Sequence, residues 1–279
     1  MSNEYDLQYN PRLAVNNVPA LLANWTSASA AVRASSDCVL DAPYGDAPTE
    51  RIDIFRASGK SRATMIFIHG GYWRSLDKQD FSFIAPTFTR AGVTVAIPNY
   101  ALCPAVTVEH IVKQMLRATA WTHRHQAQYA AANNPVYVVG HSAGGHLTAM
   151  MLASAWHVYA KDLPENVVSA GLSVSGVYDL TAIVRTPSIN SDVRLTDADA
   201  IKASPITYTP SPAVRLYTAV GELENEGFHI QNRLIGDRWH AIHEIDVQCA
   251  GANHFTVLDQ LVDPATKLHQ TALAMMEIA

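Results

Sequence analysis

The chain has 279 residues, a formal net charge of −5 and a hydrophobic content of 48%, which is the composition of a folded globular protein with a sizeable core. Its basic residues form no run that could neutralise adjacent phosphates, so nucleic acid is excluded as a partner class. Three scattered cysteines, Cys38, Cys103 and Cys249, rule out a disulfide framework and any Cys/His zinc spacing.

In chain order, the first forty-odd residues carry no secretory pattern, and "VPALLANWTSASAAVRAS" reads as a helix within an N-terminal helical segment, residues 1–45, laid over the body. "RIDIF" (51–55) is an early strand, antiparallel and at the sheet edge. "TMIFIHG" (64–70), "VTVAIPNY" (93–100), "VYVVGHS" (136–142), "VVSAGLSVSG" (167–176), "AVRLYTAVG" (213–221) and "AIHEIDVQC" (241–249) follow. Each is a short apolar run, as expected of a strand covered on both faces. Helical spacing fills the gaps, notably at 108–130, after Ser142, and at 226–239. Strand and helix thus alternate, which predicts an α/β fold with a mostly parallel sheet and helices on both faces, all in one domain spanning 1–279. Residues 181–212 form the one long insertion between core strands and are a candidate lid. No segment has the apolar length to span a bilayer, and the expected setting is cytoplasmic.

Chemistry in such a sheet gathers beyond the carboxyl ends of the strands. "GHSAG" (140–144) fits G-x-S-x-G between a strand and a helix. That is the context of a nucleophile elbow, in which a strained serine projects its oxygen and flanking glycines let strand and helix pass closely. Ser142 is therefore the candidate nucleophile, with a capped Gly-rich turn as the alternative reading. A serine needs a base to take its proton and preset donors for the oxyanion. "HGG" after the 64–70 strand suits the second need, with the N–H groups of Gly71, Tyr72 and Ala143 as donors.

Of twelve histidines, His254 in "CAGANHFTVLD" follows the final core strand, where the base belongs. His69 is better suited to bracing the oxyanion loop, and His141 and His146 flank the serine without facing it. The orienting acid should follow the preceding strand. "GELENE" there offers Glu222, Glu224 and Glu226; Glu224 is favoured, with Asp179 in reserve. The order Ser142, Glu224, His254 matches that of the α/β-hydrolase fold. Trp73, Tyr100, Trp156 and Tyr178 could line an aromatic-accepting pocket or belong to the core, and Arg74 and Arg185 could meet a substrate carboxylate or form surface ion pairs.

Taken together, "HGGYWR", "PNYALCP", "GHSAGGHL", "SGVYDL", "VGELENEGF" and "GANHFTVLD" resemble the kynurenine formamidase (arylformamidase) branch of the α/β-hydrolases, related to hormone-sensitive-lipase-type esterases. The similarity runs from "YNPR" almost to the end. It implies a serine hydrolase with no cofactor and no metal, with Ser142, Glu224 and His254 as triad and Gly71, Tyr72 and Ala143 as oxyanion donors. The expected substrate is a small aromatic amide or ester, with formyl or short acyl transfer to water through an acyl-enzyme. Carboxylester, aryl-amide or carbamate hydrolysis and a non-catalytic binding role are the alternatives. No nucleic-acid or membrane partner is expected, and a homodimer is the candidate assembly.

Overall fold

The computed structural model describes residues 3–278. Eight strands form one sheet: β1 (Cys38–Pro43), β2 (Arg51–Phe55), β3 (Ala63–Ile68), β4 (Val93–Pro98), β5 (Val136–His141), β6 (Ala170–Val174), β7 (Arg215–Gly221) and β8 (His243–Cys249). Their order is β1-β2-β4-β3-β5-β6-β7-β8. The β1/β2 and β2/β4 pairs are antiparallel, and every pair from β4/β3 to β7/β8 is parallel.

Side-chain alternation along the strands builds two cores. On one face Ile66 and Ile68 of β3 and Val138 of β5 meet Ile111 and Met115 of the helix Val108–Tyr129 and Leu147 of the helix Ala143–Leu152. On the other, Met65 and Phe67 of β3 and Val139 of β5 pack with Trp25 of the helix Val18–Ser35 and with Leu258 and Leu268 near the C-terminus. Every residue of β3, β4, β5 and β6 is buried, which is why these strands read as continuous apolar runs.

At the margins the expectation fails in one detail. β2 is antiparallel, but it is not the edge; β1 is. The helical segment expected over 1–45 ends at Ser35, and Cys38–Pro43 turns into the edge strand. β1 escapes pattern reading because it is a half-exposed strand with Asp41 at φ 57° and a register shift between Val39 and Ala42. Such irregularity and charge suit an edge that must not pair further. Between β6 and β7, the helices Thr181–Val184, Pro187–Val193 and Asp197–Ala203 bury Ile183, Ile189, Val193 and Ala200 against the first core.

Four loops leave the carboxyl ends of parallel strands on one side of the sheet: His69–Ser75 after β3, Ser142 after β5, Glu222–Asn225 after β7 and Ala250–Thr256 after β8. Where the helix after β5 passes the end of β3, contact is so close that a Cβ on Gly144 would sit 1.9 Å from the Ile68 carbonyl oxygen and 2.8 Å from that of His69. Backbone cannot yield there as a flexible side chain could. Gly144→Ala is expected to lower stability by about 3 kcal/mol; urea denaturation checks it, and an unchanged midpoint would contradict the close approach.

Candidate active site

Ser142 has φ 57° and ψ −118°, a conformation foreign to ordinary L-residues that costs roughly 1–3 kcal/mol. It persists because both its backbone groups are held. Its N–H donates to Val174 O on β6 at 2.8 Å, and its carbonyl accepts from His146 N at 3.1 Å. The strained turn projects Oγ away from the sheet, and this hydroxyl lies 3.0 Å from His254 Nε2. The other ring nitrogen, Nδ1, lies 2.6 Å from Glu224 Oε2. A carboxylate oxygen can only accept, so Nδ1 carries the proton and Nε2 is left free to accept from the serine. Glu224 Oε1 is itself held by the Ser175 hydroxyl at 2.5 Å and by Gly221 N–H at 2.7 Å. Ser142, Glu224 and His254 are all buried, and Phe228 packs against the imidazole with ring centroids 4.3 Å apart.

Among the acids weighed from the sequence, Glu224 alone reaches His254. Glu222 accepts from Gly251 N–H at 2.8 Å, Glu226 pairs with Arg233 at 2.7 Å, and Asp179 caps Thr181. Spacing left three neighbouring carboxylates open; geometry brings one of them, Glu224, to the histidine.

The His69–Ser75 loop runs beside the serine. Gly71, Tyr72 and Trp73 take successive positive φ values of 108°, 51° and 56°, and a Cβ on Gly71 would fall 2.1 Å from Ser75 O. Glycine is needed there. The Gly71 carbonyl turns outward to accept from Arg74 and Ser75 N–H, both at 3.1 Å, while the N–H groups of Gly71 and Tyr72 donate to no acceptor among the described residues. Ala143 is the first residue of its helix, so its N–H too lacks an intrahelical partner. His69 braces the loop: its ring stacks on Tyr100 at 4.2 Å and its Nδ1 lies 2.8 Å from Gly70 O. His141 braces the opposite side, donating Nε2–H to the His254 carbonyl at 2.8 Å. Burial, with the neighbouring His254 adding to it, drives the His141 pKa well below the ordinary histidine value.

Ser142, His254, Gly70, Gly71 and Tyr72 open onto one cavity of about 300 Å³, at the lower end of the range for small-ligand sites. Its aromatic wall is not the expected one. Trp73, Tyr100, Trp156 and Tyr178 line no part of it; all four are buried in the core. Their polar tips are satisfied internally where hydrogen bonds form: Trp73 Nε1–H donates to His146 Nδ1 at 3.2 Å, Tyr100 OH to His69 O at 2.9 Å, and Tyr178 OH shares a bond with Ser173 Oγ at 2.6 Å. The wall is made instead by Trp25 and Leu22 from the helix Val18–Ser35, by Phe255, and by Tyr72. The sequence did carry a signal for Trp25: with Val18 and Ser29 it forms the buried stripe of that helix. What was not legible is that one end of this stripe overhangs the serine. Ile189 and Asp192 from the 181–212 insertion and Asn10, Pro11 and Arg12 complete the enclosure. Arg74 is tied to Asp192 at 2.5 Å and Ser188 O at 2.8 Å; Arg185 donates to Thr181 O at 3.0 Å and does not line the cavity.

The strand order, the elbow and the buried acid–histidine–serine relay define an α/β-hydrolase. The chain belongs to the BD-FAE family, whose match covers residues 52–212. It is 28% identical to a protein of Danio rerio named kynurenine formamidase, over 98% of this chain and 96% of that one. It is also 29% identical to esterase LipQ of Mycobacterium tuberculosis, over 65% of this chain and 48% of that one. Among solved structures, a putative thioesterase from Silicibacter superposes with a TM-score of 0.85 at 28% identity, covering 98% of this chain and 99% of the other.

His146 gives the site region a pH signature. Trp73 donates to its Nδ1, and its Nε2–H donates to Ala203 O at 2.7 Å, an arrangement that only the neutral ring can make. Burial pushes its pKa down to about 4 from 6.5. Between those values the unfolded chain holds the extra proton, so this contribution is complete above pH 6.5 and is lost as pH falls toward 4. It amounts to about 3 kcal/mol. The urea midpoint should therefore fall from pH 7 to pH 5, and the difference should narrow in His146→Gln; equal midpoints at the two pH values would refute it.

Proposed function

We propose that the protein is a serine hydrolase of arylformamidase type, one domain acting on a formyl or short acyl amide of a small aromatic amine, with N-formylkynurenine giving kynurenine and formate as the leading case. The observation that carries this reading is the unbroken relay from Ser142 Oγ through His254 to Glu224, at 3.0 and 2.6 Å, in a chain alike over nearly its whole length to a kynurenine formamidase.

In the proposed cycle, Ser142 Oγ attacks the formyl carbon while His254 Nε2 takes its proton, and Glu224 stabilises the imidazolium that results. The oxygen of the tetrahedral species is met by the N–H groups of Gly71, Tyr72 and Ala143, each worth about 3 kcal/mol in the transition state. Collapse breaks the C–N bond, and His254 returns the proton to the departing amine. Water then enters, gives a proton to His254 and attacks the formyl-serine; formate leaves and Ser142 regains its proton. No step calls for a metal or cofactor. The cavity size favours a small substrate, and the Trp25, Phe255 and Tyr72 wall favours an aromatic one.

Ester or thioester hydrolysis is the second reading, supported by the similarity to LipQ and to the Silicibacter structure. The same relay serves it. A cytoplasmic setting is proposed alongside, in keeping with three free cysteines, two of them buried; no helix among the described residues is long and apolar enough to cross a membrane. A homodimer without nucleic-acid or membrane partners is the proposed assembly.

Purified enzyme should hydrolyse N-formylkynurenine with kcat/KM above that for p-nitrophenyl acetate; negligible deformylation beside fast ester cleavage would move the assignment to the esterases. Ser142→Ala should abolish turnover and labelling by a fluorophosphonate, and Glu224→Gln should lower kcat by about 10⁴-fold without loss of fold. Glu222→Gln should stay within about twofold. A folded wild type that takes no label would favour a binding protein.

A further inference from the structure

The first residues of the described chain form a strap across the site, and its fixings are specific. The Tyr72 hydroxyl donates to the Tyr9 carbonyl, joining the strap to the oxyanion loop. Asn10 Nδ2 donates to Ser188 Oγ at 3.0 Å and Ser188 N–H to Asp6 at 3.0 Å, joining it to the 181–212 insertion. Asn225 Nδ2 donates to Leu7 O at 2.6 Å, joining it to the loop that carries Glu224. After these anchors the chain makes a single tight turn, Pro11–Leu13, with Asn10 Oδ1 accepting from Arg12 N–H at 3.1 Å and Pro11 buried beneath. The turn holds Arg12 at the cavity wall.

The charges lining the cavity are few. Arg74 and Asp192 neutralise each other. Burial keeps the His141 ring neutral, and His254 faces its own carboxyl partner. Arg12 lines the same cavity, is exposed, and enters no ion pair among the described residues. It is the one cation there without a protein counter-charge, and its planar five-donor fork matches a carboxylate. The turn fixes the Arg12 backbone at the rim, so that binding has only the side chain left to order.

We propose that Arg12 is a specificity-determining residue that binds a carboxylate on the substrate, at the end remote from the bond cleaved, so that the cavity selects anionic aryl amides over neutral ones. Which end of the ligand is remote follows from the serine-hydrolase reading above; the binding of the anion does not.

Titration calorimetry with kynurenine and with its methyl ester, on wild type and Arg12→Gln, tests this without requiring turnover. Wild type should bind the acid about tenfold more tightly than the ester, with the gap narrowing as salt is raised; Arg12→Gln should lose that gap while holding the ester within twofold. Because Arg12 is exposed, the variant should melt with wild type. Equal loss of both ligands, or no loss of either, overturns the proposal. Selective binding in a wild type that deformylates nothing leaves Arg12 its role and removes the hydrolase reading; active deformylation with no selectivity does the reverse.

Discussion

The structure turns on one unfavourable backbone conformation. Ser142 sits where an L-residue is strained, and everything around it is arranged so that this state is the lowest available. Val174 of β6 holds its amide and His146 of the following helix its carbonyl, and glycines at 140 and 144 remove side chains that would hold that helix off β5 and β3: a Cβ at Gly140 would meet the Gly144 oxygen at 2.1 Å. The return on that strain is geometric. An oxygen that would otherwise lie along a strand is lifted to the carboxyl-end surface of the sheet, within reach of groups delivered by β3, β7 and β8. Preorganisation of this kind lowers the cost of bringing reacting atoms together, because it is met once, during folding.

Around the serine, positioning is hierarchical. His254 is oriented at its ring by Glu224 and at its backbone by His141. Glu224 is oriented by Ser175 and Gly221. His69 and Tyr100 hold the Gly-rich loop. Several of these supports are buried polar groups whose partners are other buried polar groups, so truncating one would leave another unpaired in a low-dielectric setting. The aromatic residues near the motifs, Trp73 and Tyr178 among them, belong to this supporting layer rather than to the surface that meets a ligand.

What could be read from the sequence follows the physics of each level. The central strands were legible because burial on both faces leaves a continuous apolar run, and the elbow because its glycines are demanded by contact distances of 1.9–2.1 Å. His254 was legible from chain order alone. Glu224 needed coordinates: three acids within five residues differ only in how the loop after β7 turns back. β1 was lost because an edge strand carries neither alternation nor a run. The cavity wall was lost for a different reason, since Trp25 and Asn10–Arg12 stand more than a hundred residues from Ser142 and no local pattern ties them to it. The family match, confined to 52–212, likewise stops short of the strap, of Glu224 and of His254.

The N-terminal strap makes the site a product of the whole chain. Its anchors span separations of 178 residues for Asn10–Ser188 and 218 for Asn225–Leu7, among the longest loops a chain of this length can close. Such contacts form late, after the sheet that brings their ends together. The strap lacks these anchors until Ser188 of the insertion and Asn225 beyond β7 are in place. Without these anchors the sheet would still bring Ser142 and His254 together, but around an open, unwalled serine.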